Sequence, residues 1–150
     1  MDLAELLDPQ AVDLHTAASC RVEVFRRLGE LAALGEGPKS TEITAALHAR
    51  ERLGSTIVAP GMALPHARLK GLERPRLAAV VLREGASFDG DPVRLAMAVL
   101  VPEEETTGDL LILRRLAAVL RRPEGLKRLV SVSDAASFID ALKVESDAEH

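Results

Sequence analysis

The stretch GSTIVAPGMALPHARLK, Gly54–Lys70, closes a small apolar run on Pro65 and His66. Imidazole is the one side chain that is largely a neutral nucleophile near pH 7. Phosphoryl transfer is one reaction that uses such a group. It also needs positive charge and hydrogen-bond donors around the equatorial phosphate oxygens. Arg50, Arg52, Ser55, Thr56 and Arg68 lie in the same region. A lone histidine is more often structural or simply exposed than catalytic, and spacing alone does not choose among these readings. Two local features favour a working His66. Pro65 fixes its own φ and biases Leu64 toward an extended conformation, so the backbone feeding the imidazole is stiff. The run GMALP suits a buried strand that delivers His66 to a sheet edge.

Other chemistries find less support. The four histidines, at 15, 48, 66 and 150, form no H-x-x-x-H pair, and the lone Cys20 has no partner at ligand spacing. No metal and no cofactor is therefore expected. Cys20 reads as a small buried hydrophobe. The chain contains no G-x-S-x-G elbow, no Walker phosphate loop and no G-x-G-x-x-G. The net charge is -4 and aromatics are 2% of the residues, without Trp or Tyr, which removes the stacking platforms of a single-strand nucleic-acid binder. Arg114, Arg115, Arg121, Arg122, Lys127 and Arg128 read as the wet face of helices rather than a nucleic-acid surface.

The elements that must position His66 follow from patterning. Leu3 to Leu7 suits a helical turn stopped by Asp8-Pro9, and AVDLH a short strand. Ala17 to Leu34 predicts a helix with Val22, Phe25, Leu28, Leu31 and Ala32 inward. Ser40 is a candidate N-cap for a second helix to about Arg52, with Ile43, Ala46 and Leu47 inward. RPRLAAVVLRE and VRLAMAVLVP predict two central strands, joined by a tight turn at Asp89-Gly90. Asp109 could cap a helix over Leu110 to Leu120, Pro123 starts the next, and Ser133 or Asp134 opens a last one to Leu142. The polar tail VESDAEH, with His150, reads as frayed. Helices, then strands, then helices predict an α/β sandwich with a mixed central sheet flanked by helices. A single domain over 1–150 is expected, with an ordered core of about 3–143. No apolar run approaches the ~18 residues that span a bilayer, no secretory signal is visible, and one cysteine fits a reducing compartment, so a cytoplasmic location is expected.

Arg50-Glu51, Gly54-Ser55-Thr56 and Ala63-Leu64-Pro65-His66 together resemble the phosphorylation-site region of the enzyme IIA components of the bacterial phosphoenolpyruvate-dependent phosphotransferase system. The resemblance is to the fructose/mannitol branch, which includes nitrogen-regulatory IIA proteins. FDGDPVRLAMAVLVPEE resembles a further segment of that family, so the likeness covers most of the chain. It implies that His66 accepts a phosphoryl group from the carrier HPr or its nitrogen-branch counterpart. The group would pass to a IIB domain, or its presence would regulate a target protein. It implies that Arg50 is the phosphate's charge partner, and that Nε2 is the phosphorylated nitrogen. Read without the resemblance, Arg50 is a helix-surface arginine. Ser55 and Thr56 could donate to the phosphate, but also have an ordinary explanation as turn or cap residues.

The sequence departs from the family at Ile57, Ala59 and Ala67, where glycines are common, which predicts a more ordinary backbone and a fuller rim around His66. Asp109 stands where many members carry a second histidine. It is expected to cap its helix and either point at the far nitrogen of His66 or turn away. A carboxylate roughly 4 Å from a phosphate would cost about 1–4 kcal/mol unless an arginine intervened. These departures keep open a different reading, an unphosphorylated interaction module that binds a partner protein around His66.

Overall fold

The computed structural model describes residues 2–104 and 107–147; of Thr107 only the backbone is described. A 3-10 turn at Leu3–Leu6 leads into β1 (Leu7–Asp13), followed by α1 (Arg21–Ala32) and α2 (Ser40–Glu51). Three short strands come next, β2 (Ile57–Ala59), β3 (Gly61–Ala63) and β4 (His66–Leu69). Two long strands, β5 (Arg76–Phe88) and β6 (Asp91–Pro102), precede α3 (Thr107–Arg121), α4 (Pro123–Ser131) and α5 (Ala135–Asp147).

The β5–β6 hairpin is the centre of the fold. Phe88 pairs with Asp91 across a two-residue loop, and Asp89 and Gly90 take φ of 54° and 97°. Both central residues are thus left-handed, the geometry whose twist matches paired strands. The apolar runs Leu77–Leu82 and Leu95–Leu100 are buried at every position, as expected of strands covered on both faces. A register shift between Val81 and Ala86, with Gly85 at φ 80°, extends β5 past the run that the sequence marks.

The sheet runs β1-β5-β6-β3-β2 and is mixed. β1 pairs parallel with β5, and β3 and β4 both pair parallel with β6. β3 takes the stretch of β6 from Val93 to Ala96, and β4 the stretch from Val99 to Pro102. One edge of one strand therefore receives two strands in succession, and Leu64-Pro65 is the jog between them. The jog stays bonded: Val99 N donates to Pro65 O at 2.9 Å and Leu64 N to Thr56 O at 2.8 Å.

Helix α1 packs on β5 and against α2, while α2 lies over β4. α3 runs beside β2, and α5 lies on β1. This is the α/β sandwich with a mixed sheet that the patterning predicts. Several boundaries differ. β1 begins at Leu7 and includes Pro9, because the 3-10 turn ends sooner than expected. α1 begins at Arg21, and its buried stripe is Val24, Phe25, Leu28, Leu31 and Ala32, leaving Val22 52% exposed. Full burial of a Leu or Phe contributes about 1.5–3 kcal/mol, more than helix-propensity differences, so packing on the sheet sets the phase. Cys20 is only half-buried at the N-cap of α1, with Sγ 3.6 Å from Glu23 Oε1. Lys39, not Ser40, is the N-cap of α2; its N–H faces Glu42 Oε1 at 3.4 Å. Ala46 is half-buried rather than fully inward.

The tail differs most. α5 continues to Asp147, and Glu145 and Ser146 are buried. Glu145 meets Arg128 Nε and Arg122 Nη1, each at 3.3 Å, and so joins α5 to the α3–α4 corner. Two arginines of the expected wet face thus have a structural task. His150 lies outside the described residues.

Candidate functional site

His66 is the first residue of β4, opposite Val99 of β6. It shares the outer face of the strand with Arg68, while Ala67 and Leu69 point into the core. The ring is half-buried, and its Nδ1 lies 2.9 Å from Leu64 O. A carbonyl can only accept, so Nδ1 carries the proton and donates it, and Nε2 is left with its lone pair. The stiff Leu64-Pro65 segment therefore fixes the tautomer as well as the position of the imidazole. The pKa of His66 is lowered from the ordinary value, chiefly because burial disfavours the cation; the nearby Arg50 charge acts in the same direction. The bond to Leu64 and the Glu51 charge oppose it more weakly. The ring is thus neutral at pH 7.

Two clefts meet at His66. The first, about 440 Å³, is also lined by Arg50, Ser55, Thr56, Arg114 and Arg121. The second, about 510 Å³, is also lined by Arg50, Leu53, Arg68, Asp109 and Leu110. Arg50 and His66 belong to both. Arg50 sits in the last turn of α2 and its Nη1 donates to Gly54 O at 2.9 Å, which holds the guanidinium at the site without a competing carboxylate. A further hollow, about 540 Å³, lies between the His15–Ser19 loop and Arg83–Gly85. Its polar groups bond one another: Arg83 Nε donates to His15 Nδ1 at 3.2 Å and Ser19 Oγ to Glu23 at 2.6 Å. The chemistry concentrates at His66.

The expected phosphate donors behave differently from each other. Thr56 is buried, its N–H and hydroxyl both donating to the Glu51 carboxylate at 3.2 and 2.6 Å. Glu51 thereby staples the end of α2 to the start of β2. Ser55 is exposed; its Oγ accepts from Ile57 N at 3.1 Å, which leaves the hydroxyl proton to donate. Arg52 is exposed at the C-cap of α2 and lines neither cleft.

Asp109 does not start its helix. α3 begins at Thr107, so Asp109 sits in the first turn, where its charge still suits the helix dipole. It is 3% exposed, and Oδ2 accepts from Arg68 Nη1 at 3.0 Å. Arg68 Nη1 also donates to Pro102 O at 3.1 Å. Of the two expected orientations the carboxylate takes the second: it turns from the imidazole to Arg68, and the proton of Nδ1 goes to Leu64. At Ile57, Ala59 and Ala67 no φ is positive, so the backbone there is the ordinary one that side chains require. The Leu64 carbonyl is a contributor that sequence patterning does not single out, and Glu51, Arg114 and Arg121 are named there without a place at the site. Among the described residues no group of three or more His, Cys, Asp or Glu is placed to hold a metal ion, and no helix is long and apolar enough to cross a membrane.

Known proteins share this fold. The family model for the phosphoenolpyruvate-dependent sugar phosphotransferase system, EIIA 2, matches residues 5–144. The chain belongs to that family. It is 36% identical over 141 residues to a nitrogen regulatory protein of Pseudomonas aeruginosa, covering 91% of each. The crystal structure of nitrogen regulatory protein IIA-Ntr from Neisseria meningitidis superposes with a TM-score of 0.87 at 30% identity, over 93% of this chain and 98% of that one. A 2-O-alpha-mannosyl-D-glycerate-specific EIIABC component of Escherichia coli is 27% identical over 148 residues, covering 95% of this chain and 22% of that protein.

Proposed function

We propose that the protein is a phosphohistidine carrier in which Nε2 of His66 accepts a phosphoryl group from an HPr-like protein. The observation that carries this reading is the 2.9 Å contact between Nδ1 and Leu64 O, which leaves Nε2 as the nucleophile. The Nε2 lone pair forms the new N–P bond as the donor's N–P bond breaks, and that electron pair returns to the donor imidazole. His66 keeps its Nδ1 proton, so the phosphorylated ring is formally cationic, and Leu64 O stabilises it. Arg50 offsets the added phosphate charge, and the Ser55 hydroxyl donates to an equatorial oxygen. Arg68 is ion-paired with Asp109, so the buried carboxylate is offset before the phosphate arrives. The reverse of the same step hands the group on. No metal is needed, because no nucleotide polyphosphate takes part.

The recipient is a IIB domain or a regulatory target protein. The EIIABC name of the Escherichia coli relative supports a IIB recipient, and the nitrogen-regulatory names of the other relatives favour regulation. Cytoplasmic partners of this kind imply a cytoplasmic site of action. The test is incubation with phosphoenolpyruvate, enzyme I and the HPr-type carrier of the same species, followed by intact-mass measurement. A base-stable, acid-labile phosphoryl adduct that is absent from His66→Ala is expected, with a phosphorus NMR signature of Nε2 substitution. A wild-type protein that stays unmodified would overturn the carrier reading in favour of an interaction module.

A further inference from the structure

One phosphoryl group on His66 needs one or two cations, and Arg50 already sits beside it. The smaller cleft holds more. Arg114 and Arg121 line it from α3, opposite Arg50 and His66. They are seven residues apart, so their backbones stand ~10 Å apart along the helix on nearly one face. Ala117, small and between them, also lines the cleft and leaves it open. Neither arginine is ion-paired with a described residue, whereas Arg68, Arg122 and Arg128 all are. Among the described residues no Asp or Glu lines the cleft; Glu51 is bonded to Thr56. In a chain of net charge -4, three guanidinium groups facing one concavity without a carboxylate are a local excess of the opposite sign.

Beside Ser55 and Thr56 the other lining is apolar, and includes Ile57, Leu64 and Leu113. A volume of about 440 Å³ suits a small molecule. We propose that this cleft binds a small organic anion with two separated charged groups, at least one of them a phosphate. One group would sit between Arg50 and unphosphorylated His66, the other between Arg114 and Arg121. The two α3 arginines separate such a ligand from a lone phosphate, which cannot occupy both ends. Bound there, it covers Nε2, and so competes with phosphorylation of His66. The competition rests on the carrier reading; the binding does not.

Calorimetry on the unphosphorylated full chain at physiological salt tests it, with pyrophosphate and inorganic phosphate as probes. Pyrophosphate is expected to bind at least tenfold tighter than inorganic phosphate. Arg114→Ala/Arg121→Ala should weaken it at least tenfold, and Lys127→Ala, a charge loss on α4, less than twofold. Circular dichroism and thermal melting check that each variant is folded. No heat with millimolar pyrophosphate, or equal weakening by Lys127→Ala, would overturn the proposal, since the first denies a site and the second leaves only diffuse charge. If the arginine pair instead proves to hold acidic segments of the carrier protein, the double variant would lose phosphotransfer but keep its pyrophosphate affinity, which also overturns it. Failure of His66 to be phosphorylated at all would remove the carrier reading and leave these binding results standing.

Discussion

Nδ1 of His66 lies 2.9 Å from the carbonyl of Leu64, so the ring is aimed by the backbone two residues before it and not by another side chain. Where a histidine is oriented by a carboxylate, a full negative charge raises its basicity; the Leu64 carbonyl also raises that of His66, but burial outweighs it. The ring therefore stays neutral to lower pH than an ordinary imidazole.

The first expected outcome concerns that titration. Burial first, and Arg50 second, hold the pKa of His66 below its ordinary 6.5. Arg50→Gln should move it upward without abolishing the depression. Nitrogen-detected NMR of the imidazole checks this. A midpoint unchanged in Arg50→Gln would remove Arg50 from the electrostatics of the site.

Stability should respond to the same group. The folded pKa is depressed, so the unfolded chain binds the proton more readily and stability rises with pH. The penalty is absent well above 6.5, grows as pH falls through the unfolded value, and is complete below the folded one. His48, its ring tilted against Phe25 at 4.8 Å, is shifted the same way, again chiefly by burial. His66→Gln and His48→Gln should each flatten the loss of stability between neutral and mildly acid pH in denaturant titrations. An unchanged slope in both would contradict the assignment.

The Arg68–Asp109 pair makes an ordered prediction. Arg68→Ala strips a carboxylate that is 3% exposed of its arginine and should cost about 2–4 kcal/mol. Asp109→Asn leaves a part-exposed arginine that water can reach, and should cost about 1 kcal/mol. The double variant should cost less than the sum, and phosphotransfer should fall most in Arg68→Ala. Thermal melts and the phosphotransfer equilibrium of all three, with Asp109→His beside them, provide the check. Strict additivity would mean the pair does not act as a unit.

At the far end of the chain, Glu145→Ala should destabilise by about 2 kcal/mol, because α5 loses its ties to Arg122 and Arg128. Glu145 Oε2 meets Arg122 as an ion pair but has no hydrogen-bond partner in place. Glu145→Gln should therefore be much milder, since both arginines reach solvent. Urea denaturation separates the two outcomes.

How much of this was legible in the sequence varied with how local the cause is. The Asp89-Gly90 hairpin was readable because the turn needs only two residues of the right type between apolar runs. His66 was readable because Pro65 and the run before it are contiguous with it. The partnership of Arg68 with Asp109 spans 41 positions and depends on where α3 docks, which no local pattern encodes. Arg114 and Arg121 read correctly as exposed, but the cleft they face exists only once α3 lies beside β2. VESDAEH looked frayed because Glu145 is charged, and its burial depends on arginines from another helix. Val22 is three residues before Phe25 and so resembles an inward position, but the stripe that packs on the sheet is centred on Val24, Leu28 and Leu31.

The edge of β6 that receives both β3 and β4 carries a consequence for how the site is kept. The amide of Val99 is held by Pro65, so the hydrogen bond that anchors the jog belongs to the innermost strand of the sheet. His66 holds its place through pairing with β6, and cannot leave it without breaking that edge. The Val99 amide faces the edge on which β4 lies and should exchange its hydrogen only when the Leu64–Leu69 segment leaves β6. The placing of the imidazole is therefore a measure of that one edge: whatever loosens β4 from β6 also unseats the His66 ring.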